Sequence, residues 1–132
     1  MKLESWMAWD TRLAMGRRIL VLEDEYFIAD DLQSALVHRG MEVLGPVPTC
    51  REALDIIGRE HRIDGAVLDI NLAGELCFPV ADALTERGVP FVFVTGYEEE
   101  IVPGRFRHVP RWEKPFNISE LVSNLPGALS LS

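Results

Sequence analysis

The chain has 132 residues, of which 48% are apolar and 26% charged, a size and balance that suit one soluble domain rather than a disordered tract or a two-domain protein. Twenty-one acidic residues against 13 basic ones leave a formal charge of −8, which opposes direct binding to nucleic-acid phosphates, and no apolar run approaches the ~20 residues of a membrane helix. Cys50 and Cys77 lack metal-ligand spacing and follow nothing resembling a secretory signal, so reduced thiols in a cytoplasm are expected.

Residues 1–16 carry Leu3, Trp6, Met7 and Leu13, and are expected to be an extension that is either a short amphipathic helix or poorly ordered. A domain over residues 17–126 and a tail over 127–132 should follow. Arg18 to Leu22 is a continuous apolar run after one arginine, the pattern of a strand buried on both faces, and Glu23-Asp24-Glu25 stand at its carboxyl end. Tyr26 to Arg39 places Phe27, Ile28, Leu32, Ala35 and Leu36 near one helical face, with Gly40 as a stop. Glu42-Val43-Leu44 reads as a short edge strand closed by Gly45, Pro46 and Pro48. Thr49 with Glu52 forms a capping box for a helix ending near Glu60 and carrying Ala53, Leu54, Ile56 and Ile57.

The run Ile63 to Ile70 is a third strand, again closed by a carboxylate, Asp69. A loop with Gly74 and Pro79 leads into a helix over Val80 to Arg87, and Phe91 to Thr95 is the fourth strand. Pro103, Gly104 and Pro110 leave little more than one helical turn before the fifth strand, His108 to Glu113. Lys114-Pro115 follows it. Asn117, with Glu120 three residues on, caps a last helix whose Leu121, Val122 and Leu125 face inward and which Pro126-Gly127 should end.

Five strand–helix alternations predict an α/β fold: a five-stranded parallel, doubly wound sheet with helices on both faces. In the flavodoxin-like order 2-1-3-4-5 the ends of strands one, three, four and five meet in one crevice, which gathers Glu23, Asp24, Asp69, Thr95 and Lys114. Carboxylates about 4 Å apart repel by roughly 4 kcal/mol per pair at an effective dielectric near 20, so a cation or a proton must join them. All-oxygen ligands favour magnesium, with manganese as a substitute. A metal, an ammonium and a hydroxyl around a central aspartate suit phosphoryl transfer to that carboxylate.

In order and spacing, Glu23-Asp24, Asp69, Thr95 and Lys114-Pro115 resemble the response-regulator receiver domain of two-component signalling. The resemblance covers residues 17–126. It implies that Asp69 accepts phosphate from a histidine kinase or histidine phosphotransfer protein, and that Asp24, Asp69 and the Asn71 carbonyl bind magnesium with Glu23 acting through water. It further implies that Thr95 moves towards the phosphate, that Lys114 pairs with it, that Lys114-Pro115 adopts the cis form, and that Asn71 and Tyr97 tune phosphate lifetime. Phe93-Val94-Thr95-Gly96-Tyr97 is similar to the motif of the "FAT GUY" subgroup, often stand-alone regulators with a shortened fourth helix. Valine replaces the subgroup's alanine at 94, and Arg111 stands where the wider family has an aromatic switch residue.

The expected output is a change in protein–protein contacts through the face from the fourth strand to the last helix, with a homodimer as one further partner. The alternative is a receiver-like binding module that works without phosphate. A flavin or nucleotide binder would need a Gly-rich loop where Glu23-Asp24-Glu25 stands, and an aspartyl phosphatase a second acid where Asn71 stands. His38, His61 and His108 are expected as surface residues, Trp112 as half-buried packing, and Cys77 as a small apolar filler. The acids Glu98, Glu99 and Glu100 followed by Arg105, Arg107 and Arg111 make a charge contrast on a solvated or partner-binding face.

Overall fold

A computed structural model describes residues 15–96 and 102–130 of the chain. Five strands, β1 (Arg18–Leu22), β2 (Glu42–Val47), β3 (Gly65–Asp69), β4 (Phe91–Thr95) and β5 (Arg111–Glu113), form one sheet in the order β2-β1-β3-β4-β5. All its pairings are parallel, as the alternating pattern predicts. Helices α1 (Tyr26–His38), α2 (Cys50–Arg59), α3 (Phe78–Glu86) and α4 (Ile118–Ala128) supply the crossovers and cover.

Alternation along the strands builds two cores. Leu20, Leu22, Ala66, Leu68, Phe91 and Phe93 face α2 and α3, while Ile19, Val21, Val67, Val92 and Val94 face α1 and α4. The central strand β3 is buried at every position, so the carboxylate at its end is delivered to the middle of the sheet edge. On the first of these faces Phe93 and Phe106 each pack against the other and against Phe78 and Phe91, with ring centroids 5.5–5.9 Å apart.

Several boundaries differ from the sequence expectation. β2 does not stop at Leu44. It runs to Val47 through a register shift opposite Leu20 and Leu22, because Gly45 at φ 97° lets one extra residue bulge out. Phe27 is 79% exposed: five residues before buried Leu32 is about 140° round a helix, away from the core. Leu54 likewise turns outward from α2. α3 begins two residues early, at Phe78, with Pro79 in its first turn, where the missing N–H forfeits nothing.

Between β4 and β5 the described residues hold only a 3₁₀ turn, Gly104–Phe106, in place of a fourth full helix. His108 to Pro110 belong to the turn after it, so β5 starts only at Arg111. α4 runs through Pro126 and Gly127 to Ala128. Proline so near the helix end forfeits a single bond, and the Leu129 amide still reaches the Leu125 carbonyl at 2.9 Å. Leu129 is buried over Gly65, where a β-carbon would lie 2.5 Å from its Cδ1.

Both expected caps form. The Thr49 hydroxyl oxygen accepts from the Glu52 amide at 3.2 Å, and the Asn117 side-chain Oδ1 from the Glu120 amide at 2.8 Å. Lys114-Pro115 is cis. Among the described residues no helix is long and apolar enough to cross a membrane.

Candidate functional site

The carboxyl ends of β1, β3, β4 and β5 meet at one edge of the sheet. Registers Leu22↔Leu68, Asp69↔Val94 and Thr95↔Glu113 bring Glu23, Asp69, Thr95 and Lys114 to the same level. Glu23, Asp24 and Asp69 each offer a carboxylate oxygen within 4.8 Å of the others. Glu23 and Asp69 are buried, and Asp24 is half-buried.

Lys114 reaches across this edge from β5. Its Nζ donates to Asp69 Oδ2 at 3.1 Å, Glu23 Oε2 at 3.2 Å and Glu25 Oε2 at 2.5 Å. Burial works against the charged ammonium, yet the bond to Glu25 and the charges of Asp69 and Glu23 outweigh it and raise its pKa. Asp69 is raised too, which for a carboxyl disfavours the charged form: burial first, then the charge and hydrogen bond of Glu23, push it up to about 8, against the pull of Lys114.

One ammonium thus serves three carboxylates, with a fourth, Asp24, beside two of them, an excess of negative charge in a largely buried place. Glu23 Oε1 has no hydrogen-bond partner among the described residues. A buried charged oxygen left unsatisfied costs on the order of 1–3 kcal/mol or more, and all-oxygen donors around an excess negative charge fit a hard dication. The donor set is therefore chemically suited to magnesium.

The remaining expected residues are placed less directly. Thr95 sits at the end of β4, half-buried, and its hydroxyl donates to the Gly96 carbonyl at 3.2 Å. Asn71 follows Asp69 by two and is exposed, with its side-chain oxygen accepting from the Gly74 amide at 2.7 Å. Tyr97 and the acids Glu98 to Glu100 lie outside the described residues. Arg111 is exposed on β5 and Trp112 half-buried against the α1/α4 core. His38, His61 and His108 are all exposed and none joins the crevice. Cys77 is fully buried as the residue preceding α3, and burial, then Cys50 and Asp69, raise its thiol pKa.

Two features escaped the sequence reading. Asn71–Leu72 and Glu75–Leu76 form a small antiparallel hairpin beside Asp69, joined by Ala73 and Gly74, both at positive φ. The signal was present in Asn71 and Gly74, turn formers three apart. Glu25 is the other: in sequence it is the third acid of a run, and only the fold shows that it reaches Lys114.

No family model matches the chain. SdrG from Sphingomonas melonis Fr1, known from a solution structure, is 39% identical and superposes with a TM-score of 0.74 over 89% of this chain and 98% of its own. The PhyR response regulator REC domain of Erythrobacter litoralis is 25% identical, with a TM-score of 0.75 over 88% of this chain and 92% of its own. The chain belongs to the response-regulator receiver family. This receiver is also 34% identical over 116 residues to the phyllosphere-induced regulator PhyR of Methylorubrum extorquens, covering 83% of the receiver but 43% of PhyR. It is 27% identical over 125 residues to the transcriptional regulatory protein PdtaR of Mycobacterium tuberculosis, covering 92% of the receiver and 60% of PdtaR. The receiver therefore spans less than two thirds of the length of these curated relatives.

Proposed function

We propose that this chain is a phosphorylatable single-domain receiver, with residues 17–126 as the switching unit and Asp69 as phosphoacceptor for a histidine kinase or histidine phosphotransfer protein. The observation that carries the reading is the buried crevice in which Lys114 contacts Asp69 and Glu23 while a Glu23 oxygen stays unpartnered. The match to SdrG over 98% of that solved chain supports the receiver fold as the switching unit.

An Asp69 oxygen attacks phosphorus, the phosphorus–nitrogen bond of the donor breaks, and its electron pair returns to the imidazole nitrogen, leaving a mixed anhydride on Asp69. Lys114 neutralises one phosphoryl oxygen, and Thr95 turns its hydroxyl from the Gly96 carbonyl towards another. Asp24, Asp69 and the Asn71 carbonyl would hold magnesium, or manganese, with Glu23 acting through water. When bound, that ion supplies charge neutralisation of the phosphoryl oxygens. Asn71 and Tyr97 shape water access and hence phosphate lifetime. The chain assists its own phosphorylation and dephosphorylation and turns over no separate substrate.

The output is a changed affinity for a protein target, or for a second copy, at the face from β4 to α4, in the cytoplasm. The test is NMR of the chain with magnesium and beryllofluoride or acetyl phosphate, beside Asp69→Asn. Amide shifts around Thr95 and Lys114 that need both magnesium and Asp69 are expected. A folded protein with no magnesium-dependent response overturns the switch in favour of a binding module that works without phosphate.

A further inference from the structure

Lys114 has three N–H donors, and three carboxylates take them: Glu23, Asp69 and Glu25. The ammonium is saturated. A phosphoryl oxygen arriving on Asp69 must displace one of these acceptors before Lys114 can serve it. The three are not equal. The side chains of Glu23 and Asp69 are 2% and 3% exposed, and that of Glu25 is 57% exposed, so only Glu25 returns to water at little loss of solvation.

The backbone shows why Glu25 is both near and replaceable. It is the residue before α1, with extended dihedrals, and its carboxylate makes no capping bond to the helix. Its amide donates to Glu23 Oε2 at 3.0 Å, which holds the residue at the crevice mouth. Its side chain is free of the helix and turned instead to Lys114. Once displaced, that carboxylate stays beside the positive end of α1, a favourable place for an anion.

We infer that Glu25 is a built-in competitor for Lys114: its carboxylate holds the donor that the phosphoryl group needs, and phosphorylation displaces it. The inference rests on the switch proposed above. Glu25 is then a positioning residue, acting through Lys114 and not on the reacting atoms. Its pairing sets a threshold that the incoming phosphoryl oxygen has to exceed, and an exposed pair makes that threshold sensitive to salt.

The experiment is a beryllofluoride titration at saturating magnesium, followed by NMR, on wild type, Glu25→Gln, Lys114→Met and the double variant. Glu25→Gln is expected to lower the half-saturating concentration by up to about fivefold, the upper end for an exposed ion pair, and the gap should narrow as salt rises. With Lys114→Met in the background the Glu25 effect should vanish. An equal gain in that background shows general repulsion of the anion by Glu25 and overturns the inference, as does unchanged or weaker binding by Glu25→Gln. The side-chain ammonium signal of Lys114, read without beryllofluoride, separates the two failures. Loss of its protection from proton exchange in Glu25→Gln supports the pairing even where wild type ignores beryllofluoride, and unchanged protection refutes it.

Discussion

Replacing Asp69 by Asn should make the metal-free protein more stable, although it removes the proposed phosphoacceptor. A carboxyl whose folded-state pKa lies above its unfolded one binds more protons folded than unfolded, so stability falls as pH climbs between the two values. For Asp69 those values are 3.8 and about 8, at about 1.4 kcal/mol per pH unit. Undiminished, the penalty would reach about 5–6 kcal/mol by pH 8. Solvent reaches the crevice past half-buried Asp24 and exposed Glu25, and screening reduces the expected gain to about 2–3 kcal/mol. Urea unfolding in chelator should show wild type and Asp69→Asn together near pH 4 and separating towards pH 8. The melting temperatures should then differ by about 10 °C for a domain of this size. Saturating magnesium should close most of the gap by supplying the missing positive charge to wild type. An Asn variant no more stable than wild type at pH 8 in chelator would refute the electrostatic account of the crevice.

Two further substitutions test the fold that presents the site. Phe106→Ala empties the middle of the four-ring cluster, where Phe106 is 2% exposed, and should cost about 3–4 kcal/mol in urea unfolding. Gly45→Ala puts a β-carbon 2.8 Å from the Val47 amide nitrogen at a positive φ, so a loss of about 2 kcal/mol is expected. Near-neutral unfolding of this variant would show that the bulge in β2 relaxes freely.

The sheet was legible because β1, β3 and β4 are continuous apolar runs, and only strands covered on both faces tolerate that pattern. The caps at Thr49 and Asn117 were legible for the same kind of local reason, one side chain and one amide three residues on. The bulge at Gly45-Pro46 was not, since prolines that end most strands are tolerated in an edge strand, whose proline need not donate. Phe27 is apolar yet faces solvent, because it lies about 140° round the helix from buried Leu32. At the site, the acids, Thr95 and Lys114 could be gathered from strand order alone. The role of Glu25 could not, because a third acid in a row is equally often only a helix-start residue, and its contact with Lys114 spans 89 residues of chain.

The hairpin of Asn71 to Leu76 has a consequence for motion. Segments joining a strand to the next helix are the usual lids of such sheets, because little main-chain bonding holds them. Here the Cys77 amide returns to the Ile70 carbonyl at 2.9 Å, so the chain leaves β3, folds on itself and comes back beside its starting point. This wall of the crevice is closed by its own pairing and tied at its base, through that one bond, to the residue after β3. The opposite wall is held differently: Lys114 and Thr95 are joined by one main-chain bond of 2.8 Å, from the Lys114 amide to the Thr95 carbonyl, so the two travel as a pair. Because the hairpin segment is closed on itself and back to Ile70, its amides are expected to exchange more slowly than those of an unpaired strand–helix loop.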